Sequence, residues 1–328
     1  MDEILRQIAI SPSVIKVSSF PSATSANFAV GFDLMGFAIT GVGDKVHLSK
    51  RDDNQLVIQD IIGVLGKNDL SVDIDKNVCS AVIKKFLMDY KLKLGLDIVI
   101  EKGIPLGSGI GGSAASSVAA ILAVNEFLTE PLPKKQLIDY AIYGESLISG
   151  GVYHGDNAVP SMFGGLVLLQ SSNPCEFIEL PSLNLCAAIA IPDLKIETKE
   201  ARKLIDVPFS IKEVVAQTAK TAAVVSALYE NNLDRFKKYF IDVLIEPKRK
   251  MMITGFDKVK QSAYRLGALG FGISGSGPAV FALSDSLFRA QIIADELVRV
   301  FAQEGLSAQS YVSDLKAKGG EVILKEKV

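Results

Sequence analysis

Pro105-Leu106-Gly107-Ser108-Gly109-Ile110-Gly111-Gly112-Ser113-Ala114-Ala115-Ser116 is the stretch on which the reading of this chain turns. It follows Leu96-Asp97-Ile98-Val99-Ile100-Glu101, a period-2 run that predicts a strand. It leads into Ser113 to Leu128, where Ala115, Val118, Ala119 and Leu122 fall at helical spacing. A glycine-rich loop therefore joins a strand to a helix N-terminus. Glycines allow sharp turns and close approach of bare N–H groups to a ligand. The first helical turn adds unpaired donors and the positive end of the helix dipole. Such a loop suits an anion, most often a phosphate. A turn that merely packs the helix on its strand would need fewer than four glycines and three serines between 107 and 116.

Two common phosphate loops do not fit. No Gly-Lys-Ser/Thr follows the glycines, so the loop is not a Walker A motif. Gly107-x-Gly109-x-x-Gly112 matches the dinucleotide pattern, but that pattern needs a second strand after the helix. Pro131, Pro133 and a further helical stretch, Lys134 to Ser149, stand there instead, which places an NAD-dependent oxidoreductase last among the readings.

The bulk properties set the frame. With 328 residues, the chain has room for two domains. Its 48% hydrophobic and 22% charged residues are those of a soluble globular protein. The net charge of −2, with signs interspersed, argues against a nucleic-acid partner. Cys79, Cys175 and Cys186 are odd in number and widely spaced, as expected of reduced thiols in the cytoplasm. With His47 and His154 the only histidines, a zinc site is not expected. Met1-Asp2-Glu3-Ile4 lacks the basic start of a signal peptide, and no 18-residue apolar run predicts a membrane span.

The loop from Pro105 to Ala115 resembles the ATP loop of the GHMP kinases, Pro-x-x-x-Gly-Leu-Gly-Ser-Ser-Ala. Gly112 departs from that pattern by replacing the first serine, whereas Ser113 keeps the second, which the family places near the metal. Pro21-Ser22-Ala23-Thr24-Ser25-Ala26-Asn27-Phe28-Ala29-Val30-Gly31-Phe32-Asp33-Leu34-Met35-Gly36 resembles the first motif of the homoserine kinases nearly residue for residue. In that family the asparagine and aspartate, here Asn27 and Asp33, face an amino-acid substrate. Read without the resemblance, both could simply satisfy a turn. His154-Gly155-Asp156-Asn157 matches a second signature, and Gly270 to Phe281 matches a third, glycine-rich motif. Glu197-Thr198-Lys199-Glu200-Ala201-Arg202 and Glu246-Pro247-Lys248-Arg249 resemble the segments that carry the substrate arginines.

The resemblance implies an α+β, two-domain fold. Residues 1–170 would form an N-terminal, ribosomal-protein-S5-like ATP-binding domain, and residues 171–328 a ferredoxin-like C-terminal domain, with an unusual left-handed crossover. It implies transfer of phosphate from ATP to the hydroxyl of L-homoserine, in threonine biosynthesis, with Mg²⁺. The nucleotide would meet Pro105 to Ala115 (Pro105, Leu106, Gly107, Ser108, Gly109, Ile110, Gly111, Gly112, Ser113, Ala114 and Ala115). Asn77 is either a helix N-cap or a contact to adenine. Ser113 and Glu145 would hold Mg²⁺, which takes one or two carboxylates beside phosphate oxygens; Glu145 would otherwise be a solvated helix residue.

For the substrate, Arg202 and Arg249 suit the carboxylate, and Asp33 or Asp156 the ammonium. Asn27, His154 and Thr198 would supply polar contacts, and Asn157 would orient the reacting hydroxyl. Asp156 could instead act as a base, and His154 with Asp156 could be no more than a hydrogen-bonded turn. Another small-alcohol kinase, of the mevalonate type, is the nearest competing activity. A non-catalytic nucleotide-binding regulator on the same fold is the competitor from another class. The oligomeric state is left open, a homodimer among the options.

Overall fold

The structure is a computed structural model and describes residues 8–328; the Met1–Ile4 stretch read above lies outside them. Its first sheet is built from strands whose alternation decides what is buried. β1 (Val14–Phe20) is followed by β2 (Ser22–Ala26), β3 (Met35–Gly43), β4 (Lys45–Arg51) and β5 (Leu56–Gly63). After α1 (Val78–Asp89) comes β6 (Gly95–Lys102), where Leu96, Ile98 and Ile100 point inward at period 2. α2 (Gly112–Asn125) and α3 (Lys134–Ile148) cover that face. α2 is buried along nearly its whole length, and its alanines and serines let neighbours approach closely. On α3, a Cβ at Gly144 would lie 2.3 Å from the Ser117 hydroxyl of α2. The helix expected to run to Leu128 stops at Asn125, whose side-chain amide both donates to and accepts from the Leu132 backbone.

α4 (Ala158–Phe163) leads to β7 (Leu166–Ser172) and β8 (Cys175–Leu180), which join β2 and β3 in a sheet of order β2-β3-β7-β8. The opening residues of the Pro21–Gly36 segment thus form strand β2, paired with β3.

The second half runs β9 (Cys186–Pro192), α5 (Thr198–Lys203), α6 (Ile211–Tyr229), α7 (Leu233–Tyr239), α8 (Glu246–Arg249) and α9 (Phe256–Arg265). It closes with β10 (Gly270–Ile273), β11 (Val280–Ser284), α10 (Leu287–Gln303), β12 (Ala308–Asp314) and β13 (Glu321–Lys327). The antiparallel order β10-β11-β9-β12, with β9 and β11 central, is the ferredoxin-like arrangement. α7 ends at Tyr239, and beyond it the Asp242 carboxylate accepts from the N–H groups of Leu244, Ile245 and Glu246 at the entry to α8. α9 starts at Phe256, directly after Gly255, which is left-handed with φ +76°.

Strand pairing runs across residue 170: β8 pairs with β7, and β13 returns to β1, giving the first sheet the order β13-β1-β4-β6-β5. β13 follows the last helix and pairs where an open edge of β1 is free to accept it, which sequence position does not reveal. The two halves are joined by an aromatic cluster of Phe28, Phe37, Phe236, Phe240 and Phe281, with ring centroids 4.7–6.3 Å apart. Among the described residues, no helix is long and apolar enough to cross a membrane.

Candidate active site

β6 delivers the chain to Pro105, and α2 begins at Gly112. Between them Gly107, Gly109 and Gly111 have φ of +68°, +83° and +69°. This is the left-handed region, where a side chain costs about 1–2 kcal/mol. Space is short as well. A Cβ at Gly111 would lie 2.1 Å from Thr24 Oγ1 and 2.8 Å from Asn157 Oδ1; one at Gly109 would lie 2.7 Å from the Gly277 carbonyl oxygen. The loop carbonyls are turned onto protein: Ser274 Oγ donates to Gly109 O (2.8 Å), Ala279 N to Ser108 O (3.2 Å) and Thr24 N to Ile110 O (3.1 Å). No side chain caps α2. Its first N–H groups are left for a ligand, an arrangement suited to phosphate. Ile110, Ala114 and Ala115 are buried beneath the loop, and Leu106 is exposed on its outer side.

Next to the helix start lie two carboxyls, Asp156 buried and Glu145 half-buried with its Oε1 shielded from solvent. Desolvation pushes Glu145 up to about 7, against the influence of the Ser113 hydroxyl and the charge of Lys102. Glu145 Oε1 has no hydrogen-bond partner. Asp156 is driven up to about 8, first by burial and then by Asp33 and Glu145. Asn157 half-faces the helix start, its Oδ1 accepting from Thr24 Oγ1 at 2.8 Å.

Beyond Asp156 is a charged patch. Arg202 reaches Asp33 with both terminal nitrogens at 3.3–3.4 Å, and its Nη2 lies 3.2 Å from His154 Nε2. A guanidinium only donates, so His154 Nε2 accepts and the ring is neutral, with its Nδ1–H towards Asp33 Oδ2 at 3.9 Å. Burial, the leading influence, also lowers the His154 pKa. Arg249 is 3% exposed and lies over the Phe32 ring, Cζ 5.0 Å from its centroid. Its Nε donates to Ala201 O (3.4 Å) and its Nη1 to Gly275 O (3.1 Å). Burial pulls its pKa down to about 10, Asp33 opposing most strongly. Asp33, His154, Asp156, Arg202 and Arg249 thus converge from four segments.

The comparisons with known proteins agree with this geometry. The GHMP kinases N terminal domain model matches residues 77–165, and the GHMP kinases C terminal model matches residues 224–303. A homoserine kinase of Chlorobaculum tepidum is 37% identical, over 94% of this chain and 98% of its own. One from Xylella fastidiosa is 36% identical over 95% of each chain. The crystal structure of a homoserine kinase from Cytophaga hutchinsonii superposes with a TM-score of 0.89 at 36% identity, covering 94% of this chain and 97% of that one. The chain belongs to the homoserine kinase family of GHMP kinases. It is an ATP-dependent kinase.

Among the residues singled out in the sequence, Asn77, Asn27 and Thr198 make contacts within the protein. Asn77 caps α1: its Oδ1 accepts from Cys79 N and its Nδ2 donates to Ser71 O, so both ends of the amide are engaged. Asn27 is buried, with φ +75°; its Oδ1 accepts from Asp33 N (3.0 Å) and its Nδ2 donates to Gly275 O (2.6 Å). It holds the Asp33 turn against the third glycine motif. Thr198 is exposed at the start of α5, its hydroxyl 3.4 Å from that of Ser276.

Sequence reasoning missed what lies under the family's loop. Lys102 and Asp44 form a buried ion pair, and Lys102 also donates to Ser116 Oγ (2.8 Å) and Gly112 O (3.2 Å). Asp44 Oδ1 accepts from the N–H groups of Gly103 and Ile104 at 3.1 and 3.2 Å. One signal was available: Lys102 keeps the inward phase of Leu96, Ile98 and Ile100. Thr24 and Phe32 were also passed over.

Proposed function

We propose that the chain transfers the γ-phosphoryl group of ATP to the side-chain hydroxyl of L-homoserine, giving O-phospho-L-homoserine and ADP, a step of threonine biosynthesis. The observation that carries this reading is the Asp33–Arg202–His154 patch set beside Asp156 and an uncapped helix start. An α-amino acid brings one charge of each sign. Its ammonium takes Asp33 and its carboxylate takes Arg202 and Arg249, so each member of the resident ion pair exchanges one partner for another. Mevalonate lacks the ammonium and galactose lacks both charges.

Phosphoryl transfer depends mostly on positioning and charge stabilisation. The loop from Gly107 to Ser113 holds the triphosphate with backbone N–H groups. Glu145 and Ser113 fit Mg²⁺, because a buried carboxylate oxygen without a partner is a ready ligand for a hard cation. Bound Mg²⁺ supplies neutralisation of the charge that develops on the transferred group. Asn157 keeps Nδ2 as a free donor, since its Oδ1 is held by Thr24, and it orients the hydroxyl or a γ-phosphate oxygen. Asp156 binds the substrate first; it accepts the hydroxyl proton only if a neighbouring cation lowers its pKa from about 8.

The test is ADP release from Mg·ATP with L-homoserine, L-serine, mevalonate or galactose. Release selective for homoserine and lost in Asp33→Ala and Arg249→Ala supports the substrate map. Release with mevalonate instead would keep the fold and overturn that map.

A further inference from the structure

We propose that Phe32 is a positioning residue that aims Arg249 at the substrate carboxylate and so sets the preference for amino acids over simple amino alcohols. The proposal rests on reading Arg249 as a carboxylate receptor. Among the described residues, Arg249 has no carboxylate within 4 Å, although it is almost wholly buried. Of its five N–H donors, Nε faces Ala201 O and one Nη1–H faces Gly275 O, while Nη2 has no partner among the described residues. The two carbonyls hold the guanidinium at two separate nitrogens, Nε at 3.4 Å and Nη1 at 3.1 Å, and leave Nη2 for a ligand. The Phe32 ring supplies a third restraint, since its face attracts a planar cation at 5.0 Å.

Phe32 also carries geometric information. It precedes Asp33, whose backbone N–H is held by Asn27 and whose φ is +56°. A single short turn therefore presents both the carboxylate for the ammonium and the ring that steers the guanidinium. The distance between the two charge receptors becomes a property of that turn, and Gly275 O ties its far side by accepting from both Asn27 and Arg249. An amino acid is measured across this gap; an amino alcohol without a carboxylate is not.

The experiment compares Phe32→Leu, which keeps apolar bulk but loses the ring face, with Phe32→Tyr, which keeps the face. Steady-state constants are measured for L-homoserine, 3-aminopropan-1-ol and ATP, beside thermal melts. Phe32→Leu is expected to raise KM for homoserine roughly tenfold, with KM for ATP unchanged. Its preference for homoserine over 3-aminopropan-1-ol should shrink by a similar factor, and Phe32→Tyr should restore both. A parallel Arg249→Gln variant separates the two layers. If Arg249→Gln raises KM for homoserine but Phe32→Leu leaves it and the preference unchanged, the positioning role is overturned and the receptor reading stands. If folded Arg249→Gln also leaves KM for homoserine unchanged, the receptor reading itself falls. A Phe32→Leu protein that raises both KM values alike, or loses its melt, with no rescue by Phe32→Tyr, marks Phe32 as structural and overturns the proposal.

Discussion

Replacing Gly111 by alanine is the sharpest test of how the phosphate loop is built. Alanine at φ +69° costs about 1–2 kcal/mol from backbone sterics alone. The new Cβ would also lie 2.1 Å from Thr24 Oγ1 and 2.8 Å from Asn157 Oδ1, between the two ends of a part-buried hydrogen bond whose Thr24 end is fully buried. Separating them leaves a buried polar group unpaired, worth about 1–3 kcal/mol. The sum is a loss of about 2–5 kcal/mol, read as the shift of a urea unfolding curve, with ADP release falling because Asn157 moves. Gly112, one residue on, is the control. It is the first residue of α2, and a Cβ there meets Ile104 Cγ2 at 3.1 Å, Ile104 Cβ at 3.5 Å and Lys102 Nζ at 3.8 Å, with no backbone atom among them. Alanine improves helix propensity by up to about 1 kcal/mol, so Gly112→Ala should stay within about 1 kcal/mol of wild type. Gly112→Ser, which restores the usual family residue, should remain active. Equal losses at 111 and 112, or a Gly111→Ala protein that unfolds and turns over like wild type, would refute the steric account.

Three further outcomes follow from the buried charges. The Asp156 pKa is raised in the fold to about 8 from 3.8, so its contribution to stability is fully present below pH 3.8 and is lost as pH rises through 8. Ligand-free Asp156→Asn should therefore melt higher than wild type at pH 8, by about 1–3 kcal/mol, with the gap closing towards pH 4, while ADP release collapses; identical melts at both pH values would count against a buried, proton-holding carboxyl. Glu145→Gln should raise the Mg²⁺ needed for half-maximal ADP release roughly tenfold or more, and an unchanged Mg²⁺ titration would remove Glu145 from the metal site. Lys102→Met leaves Asp44 buried without its cation and should cost about 3–5 kcal/mol; chemical denaturation of Lys102→Met beside the double variant Lys102→Met/Asp44→Leu should show partial recovery in the double, and no difference between them would deny the pairing.

Much of the active site could be read from residues because its constraints are local. The glycines at 107, 109 and 111 announce a backbone that other residues resist, and the structure puts all three at positive φ. Asp33 and Arg202 are different: 169 positions separate them, and only the motif resemblance linked them. The same limit hid the return of β13 to β1, because strand pairing across the whole chain has no local signature. The Asp33 turn shows the limit most clearly. Asn27, Phe28 and Ala29 are all left-handed, at φ +75°, +37° and +50°. Asparagine tolerates that region, but phenylalanine and alanine do not seek it. What holds them is remote: the Phe28 ring packs among Phe37, Phe236, Phe240 and Phe281, contributed by three other elements. The strain is local while its compensation is tertiary. The Asn27 side chain belongs to the same division: conspicuous in the motif, in the fold its amide donates to Gly275 O and accepts from Asp33 N, so it anchors the turn that carries Asp33.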